Sequence, residues 1–293
     1  MQQRFILRGF ASGALGGLLA FAFARILAEP VIQRSIAYDD GRTAAKQALS
    51  HAAGLAAAAS GPDLFSRSVQ RNLGLGAGVI LFGLALGGLF AVAYVLVTRG
   101  MRPSVRPRTV ALTIAAAGFA GFFLLPFLKY PANPPGVGHP DTIRARGLLY
   151  LAMIAISVVS VIAAALVARR LMRRLGGWNA TLLALLALAG WLAIVMAMLP
   201  PLGHLHANQV HFGHFETETP QPLRDRSGAI VYPGFPADVL YQFRLYAVIA
   251  QVILWGTIGV VFGVLAERLV PQPERRAAVD PRLKGEVNGL VPQ

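Results

Sequence analysis

The sequence predicts an all-α integral membrane protein: a bundle of about six transmembrane helices, both termini cytoplasmic, with short extracytoplasmic loop elements. Three observations carry this. Of 293 residues, 55% are apolar and only 14% charged, where soluble domains run near ~25% charged. The apolar residues gather in blocks close to the ~20 residues that span ~30 Å of hydrocarbon. The arginines gather in alternate connections between those blocks, a signature of membrane topology. Mean hydropathy is +0.57.

The blocks lie at about 6–28, 73–97, 110–128, 148–167, 182–199 and 245–265. A helix satisfies its backbone groups within its own segment, so each block is expected to be helical. They form one polytopic domain over 1–270. The remainder, 271–293, is polar and proline-bearing, and is expected to be disordered. The first block also reads as a signal peptide, with Arg4 and Arg8 before it and Ala22-Phe23-Ala24 as a cleavage site. The apolar run continues to Ala28, so an uncleaved helix is the better reading.

Positive charge orients the blocks. Arg4 and Arg8 precede the first. Arg99, Arg102, Arg106 and Arg108 fill the second connection, and Arg169, Arg170, Arg173 and Arg174 the fourth. Arg268, Arg275, Arg276, Arg282 and Lys284 follow the last block. The positive-inside bias places these in the cytoplasm and the first, third and fifth connections outside. A net charge of +14 distributed this way suits anionic headgroups, and nucleic acid is not an expected partner.

Glycines recur every four residues at Gly9, Gly13 and Gly17, at Gly83 and Gly87, and at Gly259 and Gly263. This spacing lets helices approach closely in lipid, for packing within the bundle or for an oligomer seam. In the first connection, 42–59 is alanine-rich and reads as a short surface helix. In the third, the prolines of 129–141 forbid one. Near the end of the first block, Arg25 is placed to snorkel or to pair with Glu29.

The fifth connection holds the chemistry. His204, His206, His211 and His214 are four of the chain's six histidines, and Glu216 and Glu218 follow them. Imidazole with carboxylate suits borderline divalent ions, so these six are candidate metal ligands at the outer face. In an extended segment His204 and His206 point the same way. On a helical turn His211 and His214 share a face. With no cysteine, thiolate sites and disulfides are excluded. There is no phosphate loop, no HExxH and no GxSxG, so a non-enzyme is expected. No permanently bound cofactor is expected either.

Three stretches resemble the CbtA family, cobalt transporter subunits of bacterial membranes. One is 66–75, with Arg71-Asn72-Leu73-Gly74 leading into the second block. Another is Lys129-Tyr130-Pro131 with Asn133-Pro134-Pro135 and Asp141-Thr142-Ile143. The third is Phe235-Pro236-Ala237-Asp238 with Tyr241-Gln242-Phe243-Arg244, then Gln251 and Trp255. The resemblance implies a multi-pass protein of the bacterial inner membrane that takes up cobalt for cobalamin synthesis beside a small CbtB-type subunit. It also implies shared roles for Lys129, Asn133, Asp141, Asp238, Arg244 and Gln251. Many members carry histidines in the first outer connection, where this chain has only His51. The ligand types alone leave cobalt, nickel and zinc open. The alternative reading is a non-transporting membrane scaffold whose outer loops dock a partner.

Overall fold

The computed structural model describes residues 2–54, 69–99, 105–212 and 218–269. Helix dominates there, with one two-stranded antiparallel sheet. Five helices are long and apolar enough to cross a membrane: Gln3–Ala52, Asn72–Thr98, Pro107–Lys129, Pro140–His204 and Ala237–Glu267. Many of their large apolar side chains, including Leu81, Leu151 and Leu186, are exposed. Water would penalise that surface and lipid does not.

In chain order, α1 (Gln2–Phe23) runs through a π-helical turn, Ala24–Ala28, into α2 (Glu29–Ala52). The first connection is therefore not the loop with a short helix expected of it, but helix as far as Ala52. Pro30 falls immediately after the π turn, where the regular ladder is already interrupted and Glu29 N–H bonds Ala24 O. The 50 residues of Gln3–Ala52 are more than twice the ~20 that span a hydrocarbon core. Residues 55–59 of the expected surface helix lie outside the described residues. A second π turn, Gln70–Gly74, leads into α3 (Leu75–Thr98), and a third, Ala120–Leu124, joins α4 (Pro107–Phe119) to α5 (Leu125–Lys129).

Helix α6 (Ile143–Met198) holds two apolar blocks, and Gly176 divides it at φ 75°, ψ 165°. That region is essentially reserved for glycine. The arms, 143–175 and 177–198, turn back on one another. Met153 and Leu192 share a buried cluster, and Trp191 Nε1 donates to Ser160 Oγ at 3.1 Å. Then follow α7 (His206–Phe212), β1 (Leu223–Arg224), β2 (Ile230–Tyr232) and α8 (Ala237–Glu267). In the hairpin, Leu223 pairs with Tyr232 and Arg224 with Ile230 across a bulge. Asp225 Oδ1 accepts from Ser227 N and Ala229 N at its turn, and the Ser227 hydroxyl bond holds this carboxyl below the usual range.

The chain divides into two compact units. The first comprises Met1–Leu19, Gly78–Ala116 and Ile253–Gln293. Here the glycine faces meet one another. A Cβ at Gly13 would sit on the Gly83 carbonyl oxygen and 2.9 Å from Gly87 Cα, and one at Gly17 would lie 2.9 Å from the Val79 oxygen. Gly259 likewise makes room for Ala115, and Gly263 for Arg108. These faces pack within the chain, so an oligomer seam on them would have to displace that packing. Phe5, Phe90, Tyr94 and Phe262 form an aromatic cluster in the same unit. Arg8 donates to the Leu265 carbonyl, and Arg108 Nε lies 2.6 Å from Glu267 Oε2.

The second unit comprises Ala20–Ala77 and Ala117–Val252. One of its cores joins Val31 and Tyr38 of α2 to Val137, Phe235 and Val239. Tyr38 donates to Pro233 O at 3.0 Å, and Tyr232 donates back to Tyr38 O at 3.1 Å. Arg25 does not bond Glu29. Its Nε donates to Asn72 Oδ1 at 2.9 Å, while buried Glu29 accepts from Gln33 at 2.5 Å. The neutral amides are within reach of both groups, and Glu29 faces the interior, where Arg25 does not.

Candidate functional site

The proline-rich segment between α5 and α6 organises the loop region of the second unit. It runs without helix from Tyr130 to His139. Two glycines turn it at positive φ, Gly136 at 77° and Gly138 at 94°. A Cβ at Gly138 would collide with the Arg146 guanidinium, so this glycine makes room for that side chain. Its own N–H donates to Glu218 O at 3.0 Å. Tyr130 OH donates to Pro200 O at 2.9 Å, tying the segment to the end of α6. Burial pushes this phenol's pKa up, which keeps the donor proton in place.

Around this segment a polar chain assembles. Asn133 Nδ2 donates to Glu218 Oε2 at 2.7 Å. Asn133 Oδ1 accepts from Arg244 Nη2 at 2.9 Å, and Arg244 Nε donates to Ala132 O at 3.3 Å. Arg146 Nε lies 3.7 Å from Glu218 Oε1, an oxygen that accepts no hydrogen bond. Glu218 is only 9% exposed. Two guanidiniums beside one carboxylate leave an excess of positive charge. Such a cluster holds the loops together and does not suit a divalent cation.

The other residues chosen from the sequence are spread around this cluster. Asp238 pairs with Arg34 at 3.2 Å, and both are substantially exposed. Asp141 Oδ2 lies 3.5 Å from His139 Nδ1. Lys129 Nζ stands 5.8 Å from the Tyr130 ring centroid, and Gln251 is half-buried on α8. His204 closes a 3-10 turn, Leu202–His204, and His206 opens α7. Leu205 alone is extended between them, at φ −63° and ψ 135°. Both histidines are exposed. Buried Asn208 donates to Leu202 O at 2.8 Å and fixes α7 on that turn. The α7 backbone carries His211, whose side chain lies outside the described residues, as do His214 and Glu216. Among the described residues, no three His, Asp or Glu side chains gather as a metal site. Helix α7 does pack against the turn Pro140–Thr142, which brings the His139–Asp141 pair to the histidine segment.

Sequence reasoning missed Arg146 and Arg34, the counter-charges. Arg146 left one trace, a second cation two residues after Arg144 at the edge of an apolar block.

Long apolar helices with a compact polar loop region define a multi-pass α-helical membrane protein. The CbtA family model, described as a probable cobalt transporter subunit, matches residues 2–267. The chain therefore belongs to the CbtA family. No curated protein and no solved structure matches it.

Proposed function

We propose that this chain is the membrane-embedded subunit of a divalent-ion uptake system in the bacterial inner membrane, with cobalt as cargo. Membership of a family described as cobalt transporter subunits is the observation that carries the reading. With the arginine-rich connections inside, the chain crosses the bilayer six times, the two arms of α6 counting separately. His204 and His206, together with His211, His214 and Glu216, capture the ion at the outer face. Exposed imidazoles bind such ions and release them, as transport requires. Glu218 serves this segment mainly as its anchor, since Asn133 and Arg146 already engage its carboxylate. A small CbtB-type subunit completes the system. A membrane potential favours entry of a doubly charged ion by ~4.6 kcal/mol per 100 mV, so the gradient itself can drive uptake.

The test is uptake of radiolabelled cobalt by a transport-deficient bacterium expressing the chain with its neighbouring small subunit. Alanine at His204, His206, His211 and His214 should cut uptake at least tenfold while membrane insertion stays normal. Unchanged uptake would remove the histidine site and leave the transporter. No uptake of cobalt, nickel or zinc by the wild type would favour the scaffold reading.

A further inference from the structure

A lateral groove of about 700 Å³ runs between the two arms of α6. Ile156, Ser160, Ala163 and Val167 line it on the first arm, with Ala184 and Trp191 on the second. Its surface is almost wholly apolar, and Ser160 already holds the Trp191 indole. Small side chains make it deep. Along the first arm the lining extends from Ala155 to Val167, a rise of about 18 Å. One leaflet of a ~30 Å hydrocarbon core measures about 15 Å.

The lining positions 156, 160, 163 and 167 follow helical spacing, and the next two steps along that face are Arg170 and Arg174. Arg169 and Arg173 stand beside them, and all four arginines are exposed. The sequence has no Asp or Glu between Asp141 and Glu216. Among the described residues, no carboxylate pairs with any of the four. Trp178, just past the Gly176 turn, is 76% exposed, where an interfacial anchor belongs. An apolar trough one leaflet long thus opens onto a concentrated positive charge that no carboxylate among the described residues pairs.

We propose that this groove binds one anionic phospholipid of the cytoplasmic leaflet, its acyl chain along the trough and its phosphate on Arg170 and Arg174. Guanidinium forks match phosphate oxygens bidentately. A zwitterionic lipid fills the same trough, but its ammonium meets four arginines. The site stands apart from the metal reading, since it shares no residue with the histidine segment.

The full-length protein is reconstituted in phosphatidylcholine vesicles doped with brominated phosphatidylglycerol, and quenching of Trp191 is read by difference from Trp191→Phe. The wild type should show about a tenfold preference for the brominated anionic lipid over brominated phosphatidylcholine. Arg170→Gln with Arg174→Gln should bring the ratio close to one, and Arg169→Gln with Arg173→Gln should keep most of it. Ala163→Phe should remove quenching by filling the trough. No preference in the wild type would overturn the site, as would one that survives loss of Arg170 and Arg174. A shift of Ala163→Phe to a smaller oligomer with lipid preference intact would assign the trough to a protein helix instead.

Discussion

Gly13 and Gly78 are both helical glycines, yet alanine should act on them with opposite sign. At Gly13 the new methyl would meet the Gly83 carbonyl and the Gly87 Cα, both backbone atoms that cannot swing away. At Gly78 nothing lies within 4 Å. Alanine in an open helical site gains about 0.5–1 kcal/mol over glycine, whereas forced overpacking costs about 1–3 kcal/mol. In thermal unfolding of the detergent-solubilised protein, Gly13→Ala should lower the midpoint by several degrees, and Gly78→Ala should leave it unchanged or raise it. Equal shifts would mean that the α1–α3 contact is looser than the glycine faces indicate. The spacing of these glycines was legible in the sequence, because in lipid small residues mark contact faces. Which face meets which was not, since all the faces share one four-residue period.

Among elements, the segment from Tyr130 to His139 gains its shape from contacts distant in sequence. Asn133 bonds Glu218, 85 residues away, and Arg244, 111 residues away. Asn133→Ala should therefore break both bonds, leave buried Glu218 facing Arg146 alone, and cost about 2–3 kcal/mol. Asn133→Gln, which keeps the amide, should lose less. A calorimetric scan of the three proteins distinguishes these outcomes, and an alanine variant as stable as wild type would reduce the polar chain to an incidental contact. The prolines here announced the lack of helix, because a ring without N–H forbids the ladder. The glutamate's true partners were hidden, since spacing cannot reveal a contact 85 residues apart. Helix α2 was hidden for the reverse reason. Its charged residues read as loop, and only its packing through Val31 and Tyr38 makes it a core element. The reversal at Gly176 was indicated by the arginines before it, which end one apolar block before the next begins.

For the whole molecule, the lack of cysteine makes a native background for single-site labelling. If the arginine-rich connections face the cytoplasm, Ser227→Cys should react with an impermeant maleimide in intact cells. Arg173→Cys should react only after permeabilisation. The reverse pattern would invert the topology. A different consequence follows from the π turn Ala24–Ala28. Such a turn carries one residue beyond the α period, and each residue advances a helix by about 100°. Within the second unit, a single inserted position therefore sets the phase between Phe23, whose ring packs edge-on against Tyr246, and the stripe Val31, Ser35, Tyr38 and Arg42. Chains of this kind that differ by one residue at that point would keep every apolar block and every charge, yet turn Ser35 and Tyr38 away from the Pro135 and Pro233 carbonyls to which they donate. Aligned by hydropathy alone they would look interchangeable, and their loop regions would be assembled out of phase.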